Sequence, residues 1–272
     1  MEARLVTAPD GARIAVFSLG GRAGTRRPLL VVHGTASDHT TWRVAGPLLA
    51  RSRVVFSIDR RGRGASSDGP SYAIEREYED VVAVVEALAL DAGGGVDVLG
   101  HSYGGRIGLG AALRTSLIRR LVVYEGAPVH VRNGRVATAQ LGRLEADVNA
   151  GRPDRMLDAF LRLEVGFDDA GLAAYHANPV WPDRVAAAER TLLRELRAET
   201  SPPAGLAVLG RVAQPVLLVQ GSESVEWFHK GTRRLATRLD DVRVVEIHGA
   251  AHAAHHTHAP EFVRAVMTFL DG

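Results

Sequence analysis

The stretch Val96-Asp97-Val98-Leu99-Gly100-His101-Ser102-Tyr103-Gly104-Gly105 constrains this chain more than any other. A short β-branched run ends in Gly-His-Ser-Tyr-Gly, the G-x-S-x-G pattern of a serine carried on a sharp strand-to-helix turn. A serine in that strained backbone has room only if the residues two before and two after it lack bulk. The turn lifts the Ser102 hydroxyl off the sheet and aims the next amide, that of Tyr103, at an incoming acyl oxygen. A helical run from Ile107 to Leu113 adds its positive N-terminal end. The chain holds 29 glycines, so the pentapeptide alone is only moderately specific. The strand before it and the helix after it give it weight.

The same alternation runs through the rest of the chain. Arg13 to Leu19 reads as a strand of an N-terminal hairpin, and Gly20 to Arg27 as a polar turn. Pro28 to Val32, Val54 to Ile58, Arg120 to Tyr124 and Pro215 to Gln220 are continuous apolar runs, the mark of strands buried on both faces. Val242 to Ile247 is the last strand. Helices are expected over Trp42 to Ala50, Phe228 to Leu239 and Pro260 to Leu270. Ile74, Tyr78, Val81, Val85 and Leu88 step by four and three, which makes one face of a further helix. Strands alternating with amphipathic helices imply an α/β fold with a mostly parallel sheet covered on both faces. From about Val129 to Glu199 the pattern turns helical throughout, with Pro153, Pro179 and Pro182 at the joins. The expected division is a core of residues 1–128 and 202–272 and a helical cap of 129–201 inserted over one end of the sheet.

Composition narrows the classes. A formal charge of +2 gives no electrostatic reason for a nucleic acid or an anionic membrane as partner. Met1 to Pro9 lacks the apolar core of a signal peptide, and no window approaches the roughly 18 uninterrupted apolar residues of a membrane helix. A soluble, cytoplasmic protein is expected. The absence of cysteine excludes disulfides, thiolate metal sites and cysteine nucleophiles. Histidines crowd one segment (His248, His252, His255, His256 and His258), with no Asp, Glu or Cys between them. Neither a metal nor a cofactor is expected, and His255, His256 and His258 are read as solvated or capping residues.

Taken in chain order, these motifs resemble those of the α/β-hydrolase fold superfamily. His33-Gly34 resembles its oxyanion loop, and Asp59-x-Arg61-Gly62-x-Gly64-x-Ser66 its D-x-R-G-x-G-x-S turn. Gly100 to Gly104 matches the nucleophile elbow. Gly249-Ala250-Ala251-His252 resembles the G-x-x-H histidine turn, and Ala259-Pro260-Glu261-Phe262 the start of the terminal helix. The resemblance implies Ser102 as nucleophile, His252 as base, and the amides of Thr35 and Tyr103 as oxyanion donors. It also implies that Asp59 and Arg61 form a turn-stabilising ion pair.

The acid departs from the usual pattern. The turn after strand seven reads Gly221-Ser222-Glu223-Ser224, with serine where a G-x-x-D turn carries its aspartate. After strand six the chain offers Tyr124-Glu125-Gly126. The order Ser102, Glu125, His252 resembles the zearalenone-lactone hydrolase group. Glu125 is expected to be the acid, with Glu223 as the alternative. His33, His101, Trp181 and His255 are expected to line the substrate pocket, Trp181 either facing substrate or packing the cap's own core. The expected activity is hydrolysis of a carboxylic ester or lactone of an apolar small molecule through an acyl-enzyme. Two rivals are a cyclase, lyase or acyl transferase using the same site, and a non-enzymatic small-molecule receptor.

Overall fold

The computed structural model of the chain describes residues 3–21, 24, 26–128 and 134–272. The first residues of the predicted cap, 129–133, and part of the predicted turn at 20–27 lie outside the described residues. Eight strands form one sheet: β1 Arg4–Thr7, β2 Arg13–Gly20, β3 Leu29–Val32, β4 Val55–Ile58, β5 Val96–His101, β6 Ile118–Tyr124, β7 Val216–Gly221 and β8 Val242–Ile247. Their order across the sheet is β1-β2-β4-β3-β5-β6-β7-β8. The β1/β2 and β2/β4 pairs are antiparallel, and every pair from β4 onward is parallel.

Successive residues of the central strands point to opposite faces, and both faces are buried. Leu30, Val98, Val123 and Leu218 pack on one side against Val81, Val85, Ile107 and Leu109. Leu29, Val31, Leu99, Val122 and Leu217 pack on the other against Leu49, Phe262 and Val266. The helices that supply these partners are α1 Ala45–Leu49, α2 Ile74–Ala92, α3 Tyr103–Ala112 and, later in the chain, the terminal helix. All five apolar residues of the predicted α2 face are buried.

Between β6 and β7 the chain is helical: α4 Gly134–Asn149, α5 Pro153–Phe160 followed by a π-turn at Leu161–Val165, α6 Asp169–His176 and α7 Trp181–Ala198. Their apolar residues form a cluster of their own, including Leu144, Met156, Leu157, Leu172 and Leu192, which reaches Ala36 in the loop after β3. The short α8 Leu206–Leu209 leads into β7; after β7 come α9 Glu226–Ala236, α10 Ala254–Thr257 and α11 Ala259–Asp271. Among the described residues no helix is long and apolar enough to cross a membrane.

Candidate active site

Ser102 lies between β5 and α3 with φ 54° and ψ −125°. That left-handed backbone costs an L-residue about 1–3 kcal/mol and persists only when its surroundings hold it. Here the Ser102 N–H donates to the Tyr124 carbonyl at 2.8 Å, and its own carbonyl accepts from Gly105 N at 2.9 Å. A Cβ on Gly100 would collide with the Gly104 backbone, and one on Gly104 with the carbonyls of Val32 and His33. Both glycines of the pentapeptide are therefore required sterically. Gly34 closes in from the β3 loop, where a Cβ would lie 2.9 Å from that of Ser102.

Glu125 follows β6 directly and is also held at positive φ, 47°. It is 3% exposed. Its Oε2 lies 2.5 Å from His252 Nδ1, and its Oε1 accepts from the Gly221 amide at 2.7 Å. A carboxylate oxygen at that distance fixes the imidazole with the proton on Nδ1, leaving Nε2 for other chemistry. Glu223, by contrast, is exposed, and its carboxylate accepts from the neighbouring Ser222 hydroxyl at 3.1 Å. The structure brings His252 and Glu125 together and leaves Glu223 apart from them.

Three residues that sequence patterns did not single out as supports hold the His252 loop. Phe228 stacks on the imidazole with centroids 4.3 Å apart and planes 7° off parallel. The Tyr124 hydroxyl donates to Ala251 O and accepts from Ala254 N. His101 Nε2 donates to the His252 carbonyl at 2.9 Å. Tyr124 precedes Glu125 in sequence, which is a weak signal; Phe228 offers none. Burial, and then the nearby His252, keep the His101 ring well below the ordinary histidine range.

Some expectations need correction. Asp59 and Arg61 do not pair with each other. Asp59 accepts from His39 N and Nδ1 and from Ala65 N, while Arg61 grips Asp80 and Asp10. The turn is stabilised by both residues through separate partners. His255 is not solvated: it is 2% exposed, packed among Trp42, His101, Tyr124 and Phe262, and burial pushes its pKa well down. His256 is half-buried and held down at about 4 by burial, then by Arg43 and Arg184. His33 is fully buried with both ring nitrogens engaged, Nδ1 to Gly34 O and Nε2 to Arg60 N. That places it in the scaffold under the loop. Trp181 packs against Tyr175 and His176 at the apolar cluster of the helices between β6 and β7. Thr35 is half-buried in the turn after Gly34, and Tyr103 opens α3 with its hydroxyl 3.0 Å from that of Tyr72.

The helices between β6 and β7 meet this end of the sheet through charges. Glu195 of α7 pairs with Arg60 and Arg63, all three fully buried. Arg184 reaches Asp38 at 2.9 Å and the Thr40 hydroxyl at 2.8 Å; Arg194 reaches Asp68 at 2.6 Å; Glu199 reaches Arg106 at 3.2 Å. Every core partner except Arg106 lies in the loops that follow β3 and β4.

The sequence profile of the alpha/beta hydrolase family matches residues 29–266. The chain belongs to that family. The 2-hydroxymuconate semialdehyde hydrolase of a Pseudomonas species is 28% identical, over 91% of this chain and 88% of its own length. The 3-hydroxybutyrate-oligomer hydrolase of Cupriavidus necator is 26% identical, over 90% and 89%. The crystal structure of an alpha/beta hydrolase from Sphaerobacter thermophilus superposes with a TM-score of 0.78 at 29% identity, covering 97% of this chain and all of the other. This alpha/beta hydrolase is thus an enzyme of hydrolase type, as the two relatives just described are by name.

Proposed function

We propose that this enzyme hydrolyses a carboxylic ester or lactone of an apolar small molecule, with Ser102, His252 and Glu125 as its relay. Ser102 Oγ bonds to the carbonyl carbon while His252 Nε2 takes the hydroxyl proton, and the carbonyl electron pair moves onto oxygen. The amides of Thr35 and Tyr103 hold that oxyanion. The intermediate collapses, the C–O bond to the leaving alcohol breaks, and His252 returns the proton to it. Water then repeats the sequence on the acyl-enzyme. Glu125 keeps the imidazole oriented throughout.

The observation that carries this reading is the pairing of His252 Nδ1 with Glu125 Oε2 at 2.5 Å, beside a serine held in a strained turn. The Leu-, Ala- and Val-rich sequence of residues 129–201 supports an apolar substrate. One relative is named for hydrolysing 3-hydroxybutyrate oligomers, whose links are esters. The test is steady-state and burst kinetics with p-nitrophenyl butyrate and simple γ- and δ-lactones. The expected result is a nitrophenol burst equal to the enzyme concentration, with kcat falling about 10⁶-fold in Ser102→Ala. Failure to turn over every ester and lactone, or a Ser102→Ala variant within tenfold of wild type, contradicts it.

A further inference from the structure

One guanidinium gathers the buried charges beside the serine turn. Arg60, 1% exposed, immediately follows Asp59 at the end of β4. Its Nε and NH2 donate to Glu77 at 2.7 and 2.6 Å, NH2 donates also to Glu195 of the cap, and NH1 donates to the Gly34 carbonyl at 3.0 Å. Its Cζ lies 4.7 Å from the centre of the Tyr103 ring. One side chain thereby touches the peptide that precedes Thr35, the residue that follows Ser102, and α7.

The Gly34 carbonyl has a second donor. His33 Nδ1 lies 2.9 Å from it, and His33 Nε2 accepts from the Arg60 amide at 3.1 Å. A carbonyl can only accept, so the proton is on Nδ1, and this single neutral tautomer satisfies both contacts. A trans peptide sets its N–H opposite its C=O. With the Gly34 carbonyl pinned between Arg60 and His33, the Thr35 N–H is turned away from that pair. Gly34 itself is packed on Ser102.

We propose that Arg60 is a positioning residue that fixes the Gly34–Thr35 peptide for oxyanion binding, and that Glu195 links this orientation to the seating of the cap. Arg60 touches no reacting atom; it acts through the Thr35 amide. This role rests on the acyl-transfer reading above, in which that amide is an oxyanion donor. When the cap is seated, Glu195 holds the guanidinium from above while Glu77 holds it from α2. When the cap lifts, Arg60 loses one of its two carboxylates and is free to leave the Gly34 carbonyl.

The test uses Arg60→Met, Arg60→Lys and Glu195→Gln in the full chain, with p-nitrophenyl butyrate as substrate. The second readout is affinity for an alkyl trifluoromethyl ketone. Ser102 Oγ adds to the ketone carbon, His252 takes the proton, and the carbonyl oxygen becomes an oxyanion without a leaving group. The expected loss of kcat is about 10²-fold or more for Arg60→Met, the scale of one lost oxyanion donor, and about tenfold for Glu195→Gln. KM stays within roughly threefold, as expected when only transition-state contacts are removed. Ketone affinity falls in parallel with kcat, and Arg60→Lys recovers part of both. A purely structural role lowers thermal stability but leaves kcat per burst-titrated site and ketone affinity unchanged; that result overturns the positioning role while the hydrolase reading stands. If Arg60→Met does not fold, the nearly isosteric Glu195→Gln decides on the same two readouts. A wild-type enzyme that reacts with neither ester nor ketone removes the acyl-transfer reading, and this role with it.

Discussion

The sheet of this molecule and the helices between β6 and β7 are assembled by different forces. The sheet is sandwiched between two apolar clusters, built from strand residues that alternate between its faces and from the helices next to them in the chain. The helices between β6 and β7 have an apolar cluster too, but their seam with the loops beneath is charged: Glu195 with Arg60 and Arg63, Arg184 with Asp38, Arg194 with Asp68. Apolar burial is non-directional and scales with area. A buried ion pair gains little over apolar packing, yet losing one partner is costly because it strands a charge. The sheet is therefore held by area, while the helices between β6 and β7 are held to the loops at named points.

The comparison is sharpest at the two carboxylates that follow β6 and β7. Glu125 is buried against His252, and Glu223 is exposed. Glu125→Gln is expected to lower kcat by about 10⁴, with Glu223→Gln within about twofold of wild type, because only the first orients the imidazole. Steady-state kinetics on both variants checks this, and the reverse ranking would move the acid to the β7 turn.

The seam gives the next effect. Glu195→Ala strands Arg63, leaves Arg60 with Glu77 alone, and is expected to cost about 3–5 kcal/mol in urea unfolding. A loss below about 1 kcal/mol would mean that the cap is seated by apolar packing after all.

Acid should loosen the molecule at the histidines. His33 and His255 are both buried, and burial, the largest cause, holds each well below the ordinary 6.5. Below pH 6.5 the unfolded chain therefore binds more protons than the folded one, so stability is complete above that value and lost as pH falls. The slope is at most about 1.4 kcal/mol per pH unit for each ring. Thermal unfolding between pH 7 and 5 measures it, and His255→Phe should flatten the curve; a wild-type profile that is flat or rises toward acid contradicts the burial argument. The smallest effect belongs to the outer seam. Asp68 is 41% exposed where it meets Arg194, so Asp68→Asn should cost no more than about 1 kcal/mol.

What could be read in the sequence follows the same division. Each central strand, the α2 face and the helices between β6 and β7 announce themselves through periodicity, because apolar burial repeats along the chain. Ser102 and His252 are marked by local turns whose glycines the backbone requires, and Glu125 by its place at the end of a buried strand. Arg60 and Glu195 carry no such mark: they are 135 positions apart, and nothing in either neighbourhood points to the other. Phe228 on His252 is hidden for the same reason. The burial of His255 was misread because a histidine-rich segment looks polar. Its ring instead packs at tilted and edge-on angles against Trp42, His101, Tyr124 and Phe262, which come from four other elements. The Asp59–Arg61 pairing failed because each side chain had a better-placed partner elsewhere.

The central claim is that Ser102 is an activated hydroxyl, deprotonated by an imidazole that Glu125 orients. Intact mass and peptide mapping after exposure to an alkyl fluorophosphonate test it directly. A single adduct on Ser102, absent from Ser102→Ala and formed far more slowly in His252→Ala, is the predicted result. No adduct on the folded wild-type protein, or an adduct mapped to another residue, would contradict it.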